Sequence, residues 1–274
     1  MRRFLIIIGG LLFPLCVNAQ WFDSHLIKLD AAKLVVKYEL NYVEDTNNIQ
    51  HVGRETMILL IGDEISSFQS LNSFMYYQVG RKKREEGSLN AWIESGSFMQ
   101  YKSRFTYCLY KNYPYGKITT LDDLPLSDSR FLYEEDMEQF VWEVFDEIAE
   151  IDGYVCQKAK CDFGGRTWEA WFTVDLPFSD GPYKFNGLPG LILKLEDMKK
   201  HYSFTLLSIE TLQEEIPIEL ESKDYTRTTK QKFFEALGQS VLMLDDNDVV
   251  DSKVAEKIKQ VLRSRNNPIE LDRK

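Results

Sequence analysis

The sequence predicts an α+β fold: a large antiparallel β-sheet, a meander or half-barrel, with a few helices that lie mainly toward the C-terminus. Three observations predict it. Apolar residues alternate with polar ones over most of the first two thirds of the chain, the period of two of a half-buried strand. Turn residues that tolerate positive φ fall between those runs at hairpin spacing. Helical periodicity is confined largely to the last fifty or so residues. The 274-residue chain is 44% apolar and 13% aromatic, enough to bury a sizeable core.

The first residues read as an export signal. Arg2 and Arg3 precede the apolar run 4–15, and Val17-Asn18-Ala19 suits signal peptidase, so cleavage is expected after Ala19, with one β-rich domain over residues 20–274. The run is interrupted by Gly9, Gly10 and Pro14 and is too short to span a bilayer. Cys16 would invite lipidation, but Leu15 before it is not small. No later segment is apolar for long enough to cross a membrane. The expected location is the periplasm, the cell surface or the medium. Losing the leader removes two arginines and no acids, leaving 31 basic against 43 acidic residues. That sign repels phosphate backbones and anionic lipid, and excludes nucleic acid as a natural partner.

Taken in order, the strands are expected at residues 34–42, 57–61, 104–109, 141–145, 154–160, 167–174, 191–195 and 202–209. Leu34, Val36, Tyr38, Leu40 and Tyr42 alternate with Lys37, Glu39 and Asn41, whereas 57–61 is continuously apolar and reads as more central. Asp152-Gly153 and the turn 162–165 make 141–174 a three-stranded antiparallel meander. Residues 66–86 are ambiguous, and 81–86 read as a solvated connection. A helix is expected over 224–237, with cap candidates at Thr226, Thr228 and Thr229. A second, over 250–263, carries Val250, Val254, Ile258, Val261 and Leu262 on one stripe, and Pro268 bars its continuation. Helices are expected against one face of the sheet.

Three cysteines follow the leader, Cys108, Cys156 and Cys161, an odd number that leaves at least one thiol unpaired. Cys156 and Cys161, five apart on one regular strand, would face opposite ways. Buried small apolar side chains are the preferred reading of all three. No catalytic constellation stands out. His25, His51 and His201 lie far apart with no metal-ligand spacing, and there is no nucleophile elbow, P-loop or dinucleotide fingerprint. The acidic run Asp245, Asp246, Asp248, Asp251 fits an EF-hand loop in neither register. Adjacent carboxylates such as Asp122-Asp123 and Glu134-Glu135 arise by chance among 43 acids. No cofactor, metal or enzymatic activity is expected.

The most distinctive stretch is Gly187-Leu188-Pro189-Gly190-Leu191-Ile192. It is preceded by Ala170-Trp171-Phe172-Thr173, Leu176-Pro177-Phe178-Ser179 and Gly181-Pro182-Tyr183-Lys184-Phe185. This order resembles the GLPGLI family of exported Gram-negative proteins, named after the hexapeptide. Matches recur at 154–159, at Gly165-Arg166 and at Asn267-Pro268-Ile269-Glu270-Leu271. The resemblance implies a secreted or periplasmic protein of undefined activity, from bacteria rich in TonB-dependent transporters. It also implies similarity to the amino-terminal bowl-shaped domain of a bacterial peptide N-glycosidase. Read from the residues alone, Gly187 and Gly190 flank Leu188-Pro189 and favour a tight turn feeding strand 191–195, a fold determinant. A loop that lets backbone approach a ligand is the alternative.

If 167–174 is regular, Trp168, Ala170, Phe172 and Val174 share the core face, and Glu169, Trp171 and Thr173 the other. Trp171 beside Glu169, with Lys158 and Arg166 near it across the hairpin, is the candidate binding surface for a sugar or a peptide side chain, the alternative being an indole packed under a loop. The reading is a non-enzymatic envelope protein that binds an envelope or outer-membrane partner, or a glycan or peptide ligand, through a concave sheet surface, as an accessory to outer-membrane transport or surface assembly. The competing readings are a glycoconjugate-acting hydrolase or its accessory domain, and a purely structural component of the cell surface.

Overall fold

The structure is a computed structural model that describes residues 26–124, 130–221, 225–242 and 252–272. The predicted leader and the acidic run 245–251 lie outside the described residues. In chain order the strands are β1 Leu26–Val43, β2 Val52–Ile61, β3 Ser66–Ser70, β4 Cys108–Lys111, β5 Lys117–Asp123, β6 Arg130–Asp136, β7 Glu143–Ile151, β8 Tyr154–Phe163, β9 Arg166–Thr173, β10 Leu191–Asp197, β11 Tyr202–Glu221 and β12 Thr226–Arg227. The helices are α1 Leu71–Glu85, α2 Leu89–Glu94, α3 Lys230–Leu242 and α4 Ser252–Ser264. All twelve strands join one sheet in the order β12-β6-β5-β4-β3-β2-β1-β11-β10-β9-β8-β7. Every pairing is antiparallel except the short parallel one between β12 and β6, so the sheet is mixed and the fold mostly β rather than α+β.

The alternation that betrays β1 has a simple cause. Leu34, Val36, Tyr38 and Leu40 enter the larger core cluster, while Ala32 and Val35 enter a smaller one on the other face. The sheet is curled tightly toward the larger core. On a flat sheet β4 and β9, six places apart in the strand order, would lie about 29 Å from each other. Yet Phe185 touches both: its carbonyl accepts from Lys111 of β4 at 3.2 Å, and its ring lies 4.9 Å from that of Trp168 on β9. The sheet therefore wraps around segment 175–190, which fills its hollow. On the outer face, Leu71 and Phe74 of α1 cover the half built from β1 to β6 and β11.

The meander expected at 141–174 is present as β7, β8 and β9, with positive φ at Asp152, Gly153, Gly164 and Gly165 in its turns. Four strands escape sequence reading: the two-residue β12, and β3, β5 and β6, which lack a clear aliphatic alternation. Ser66, Ser67 and Ser70 of β3 and Thr119 and Thr120 of β5 are buried, and β6 is rich in acids, so none shows an aliphatic period. Strand 202–209 is the first half of a twenty-residue β11 whose remainder, with Glu210, Glu214, Glu215 and Pro217, hides the period. Strand 104–109 shrinks to β4, which starts at Cys108.

The segment 81–86 is no loose connection: α1 runs through it. Ser70 caps α1 by accepting from the backbone N–H of Asn72 and Ser73, and Lys82, Lys83 and Arg84 sit in its last turn, where cations favour the helix dipole. Thr226 lies in β12, and Thr229 accepts from the N–H of Lys232 at the start of α3, later than expected. No described helix is long and apolar enough to cross a membrane. Cys156 and Cys161 are both buried and both touch the larger core cluster, though the unbroken register of β8 keeps them at opposite parity, while Cys108 is half-exposed.

Candidate functional site

The register of β8, β9 and β10 assembles three of the four residues singled out from sequence. Lys158 of β8 pairs with Trp171 of β9, which pairs in turn with Lys194 of β10. The Lys158 ammonium lies 5.8 Å from the Trp171 ring centroid, 3.1 Å from Glu169 and 3.0 Å from Glu147 of β7. The Trp171 indole N–H donates to Glu169 at 3.3 Å. Bonds to Glu147 and Glu169 raise the pKa of Lys158. Burial pushes the Glu169 carboxyl up, but its bonds to Lys158 and Lys160 hold it below its ordinary range. The result is a half-buried indole set in a lattice of opposite charges.

Arg166 does not belong to this surface, contrary to expectation. It shares the parity of Trp168, Ala170 and Phe172, and its guanidinium is buried. It donates to Asp197 at 3.1 Å, to the Asn267 side chain at 2.6 Å and to the carbonyls of Pro268 and Ile269 at 2.7 and 2.9 Å. Four hydrogen bonds from one planar guanidinium, to a carboxylate, a side-chain amide oxygen and two backbone carbonyls, make Arg166 a clamp on the C-terminal tail. Val174 also departs from expectation: β9 ends at Thr173, and Val174 is 62% exposed instead of joining the core.

The hexapeptide is built into the hollow of the sheet. Gly187 has φ +92 beneath the Trp142 indole, whose N–H donates to the Asn186 carbonyl at 2.8 Å. Gly190 has an ordinary φ, but a Cβ there would overlap the Thr173 carbonyl, so its reason is close backbone approach. Leu188, Leu191 and Ile192 are buried, and the Ile192 carbonyl accepts from the buried Tyr38 hydroxyl at 2.8 Å. Lys111, wholly buried, spends its three N–H donors on Asp180, on the Gly181 carbonyl at 2.6 Å and on that of Phe185. Burial lowers the pKa of Lys111, against the pull of Asp180.

Sequence reading missed a closed ring of four charges. Lys184 meets Glu135 of β6 and Glu270 of the tail, and Lys230 of α3 meets the same two carboxylates. Tyr183 adds a hydroxyl bond to Glu270 at 2.5 Å. Burial alone would lower Lys184 and raise Glu270, yet each is shifted the other way: Glu270 and Glu135 raise the lysine, and Lys184 and Lys230 lower the acid. Glycines complete the docking of the tail, since Cβ atoms at Gly164 and Gly165 would press on Glu270 and Leu271. The separated matches at Gly165-Arg166 and Asn267–Leu271 are thus one contact.

A narrow cleft lies under α1 on the outer face, lined among others by Phe74, Tyr77, Tyr110, Arg81 and Arg130. Its charges are met locally: Arg130 donates to Asp123 at 2.8 Å, and Arg81 lies 3.7 Å from Glu219. Among the described residues no group of three or more His, Cys, Asp or Glu side chains could hold a metal ion.

With this geometry in hand, the likenesses to known proteins are narrow in sequence and broad in fold. A family model described as "Protein of unknown function (Porph_ging)" matches residues 164–194, the span from the β8–β9 turn through the hexapeptide. No curated protein matches the chain. Among solved structures, PNGF-II in one crystal form matches with TM-score 0.53 and 13% identity over 77% of this chain and 34% of that one. A second crystal form of PNGF-II gives TM-score 0.51 and 12% identity over 76% and 33%. The chain shares that fold and spans about a third of the length of the structures it matches.

Proposed function

We propose that this chain is an exported, non-enzymatic protein of the bacterial envelope that binds a partner or ligand through the outer face of β8, β9 and β10, around Trp171. The concave face expected to do so is occupied by segment 175–190 and the tail, which moves the reading to the opposite side. One observation carries it: a half-buried indole, packed on one side against the core cluster, with its edge bonded to Glu169 and its ring near Lys158. An aromatic face bordered by charge is suited to stacking on a sugar or on a planar peptide side chain. The GLPGLI resemblance supports export, and the Porph_ging match, to a family of unknown function, covers the hexapeptide that carries that resemblance.

The test is binding of the mature chain to glycan and peptide arrays. Trp171→Ala is expected to weaken the strongest interaction at least tenfold and to lower the melting temperature by only a few degrees. Equal loss of binding and of stability would make the indole a packing residue. Turnover abolished by a single acidic substitution would refute the non-enzymatic reading. The match to only a third of PNGF-II favours a second reading, an accessory domain of a glycoconjugate hydrolase. It is tested by whether the added chain changes the KM of such an enzyme on glycoprotein.

A further inference from the structure

The sheet ends in a strand that nothing described covers. β7 is the last in the strand order, nine residues long, and six of its nine residues are exposed. Edge strands of this length pair with other chains unless they are blocked. The side chains of β7 separate in part by face: Glu143 pairs with Lys160 and Glu147 bonds Lys158 on one face, whereas Glu150 pairs with Val155 on the other. Val144 and Ile148 pair with Ala159 and Gln157, two apart on β8, and so share a face with Val155. These three aliphatics are 47%, 59% and 61% exposed. Glu143, Asp146, Glu147 and Glu150 give the same strand four carboxylates, of which Glu147 is joined to Lys158.

A second copy of this chain is a poor occupant, because pairing β7 with itself would bring eight carboxylates together. An extended segment with basic and aliphatic residues in alternation meets both faces at once. Its aliphatics extend the Val144–Ile148–Val155 patch, and its bases answer the acids.

We infer that β7 is a docking edge for an extended, basic segment of a partner protein, added as a further strand to the sheet. The inference deepens the binding reading by naming a partner's chemistry, but uses a different surface from Trp171, so the two fail separately. Its probe is an acetylated, amidated nonapeptide alternating Lys and Val, labelled for anisotropy against the mature chain. Its controls are a Glu/Val counterpart and a Lys/Val peptide N-methylated at every amide.

The Lys/Val peptide is expected to bind, its affinity falling at least tenfold with Glu143→Lys/Asp146→Lys and at least fivefold with Ile148→Lys. All three positions are exposed, so the variants should melt with the parent. The same change of charge at the β2–β3 turn, Asp63→Lys/Glu64→Lys, should alter affinity less than twofold. N-methylation should abolish binding. The inference is overturned by equal binding of the methylated peptide, by equal losses in the two double variants, by no binding at all, or by a dimer in light scattering that Ile148→Lys dissolves. If the peptide binds as expected while Trp171→Ala spares every array ligand, the edge stands and the indole surface falls.

Discussion

Glu270 is wholly buried, and its carboxylate is shared by Lys184, Lys230 and Tyr183. Removing one charge from such a ring leaves a cation in a low-dielectric interior with half its compensation, a loss usually worth about 3 kcal/mol or more. Glu270→Gln is therefore expected to lower unfolding free energy by about that amount in urea titration. A loss under about 1 kcal/mol would mean that water reaches the ring. The two hexapeptide glycines separate in the same assay. Gly190→Ala drives a methyl into the Thr173 carbonyl and should prevent folding or cost several kcal/mol, whereas Gly187→Ala meets only the Trp142 ring at 3.7 Å and should cost about 1 kcal/mol for its positive φ. Sequence alone flagged both glycines but not why they differ, because Thr173 is a neighbour only after β9 and β10 pair. Glu270 could not be picked out among 43 acids until the fold set it against two lysines. Arg166 misled for a related reason: an arginine next to a turn looks solvated until a distant tail is seen folded over it.

Elements were legible where one face is apolar and the other polar, as in β1, β8 and β9, and illegible where hydroxyls line the buried face, as in β3 and β5. α1 escaped because its charged last turn, from Arg81 to Glu85, reads like a loop when its cap at Ser70 is not recognised. Ser70→Ala removes the acceptor for two N–H groups and should cost about 1 kcal/mol, read as a shift in urea midpoint with unchanged slope. β8 makes a chemical prediction of its own. Burial pushes the Cys156 thiol up to about 11 and that of Cys161 up to about 12, leaving almost no thiolate at neutral pH. Brief iodoacetamide treatment of the native protein at pH 8 should leave both unmodified by mass spectrometry, and urea should expose them. Rapid labelling of either in the folded state would show that the meander opens locally.

At the scale of the molecule, the Lys184–Glu135–Lys230–Glu270 ring and the Arg166 clamp join parts remote in sequence: β6, the segment inside the hollow, α3 and the tail. The ring ties stability to pH through the directions of its shifts. Glu270 lies below the ordinary carboxylate value of 4.5, so its contribution is complete above that value and is lost as pH falls through its folded pKa. Lys184 lies above 10.5, so its contribution is complete below that value and is lost as pH rises through its folded pKa. Stability from the ring should thus form a plateau from roughly pH 5 to pH 10 with a fall on each side. Glu270→Gln should lower the plateau and flatten its acid limb, since the group whose protonation drives that limb is gone, while acids such as Asp30 and Glu169, also shifted down, keep a residual slope. Melting temperatures of parent and variant across this range provide the measurement. Parallel curves, offset but equally steep in acid, would show that carboxylates outside the ring govern acid unfolding and that the tail is held chiefly by Arg166.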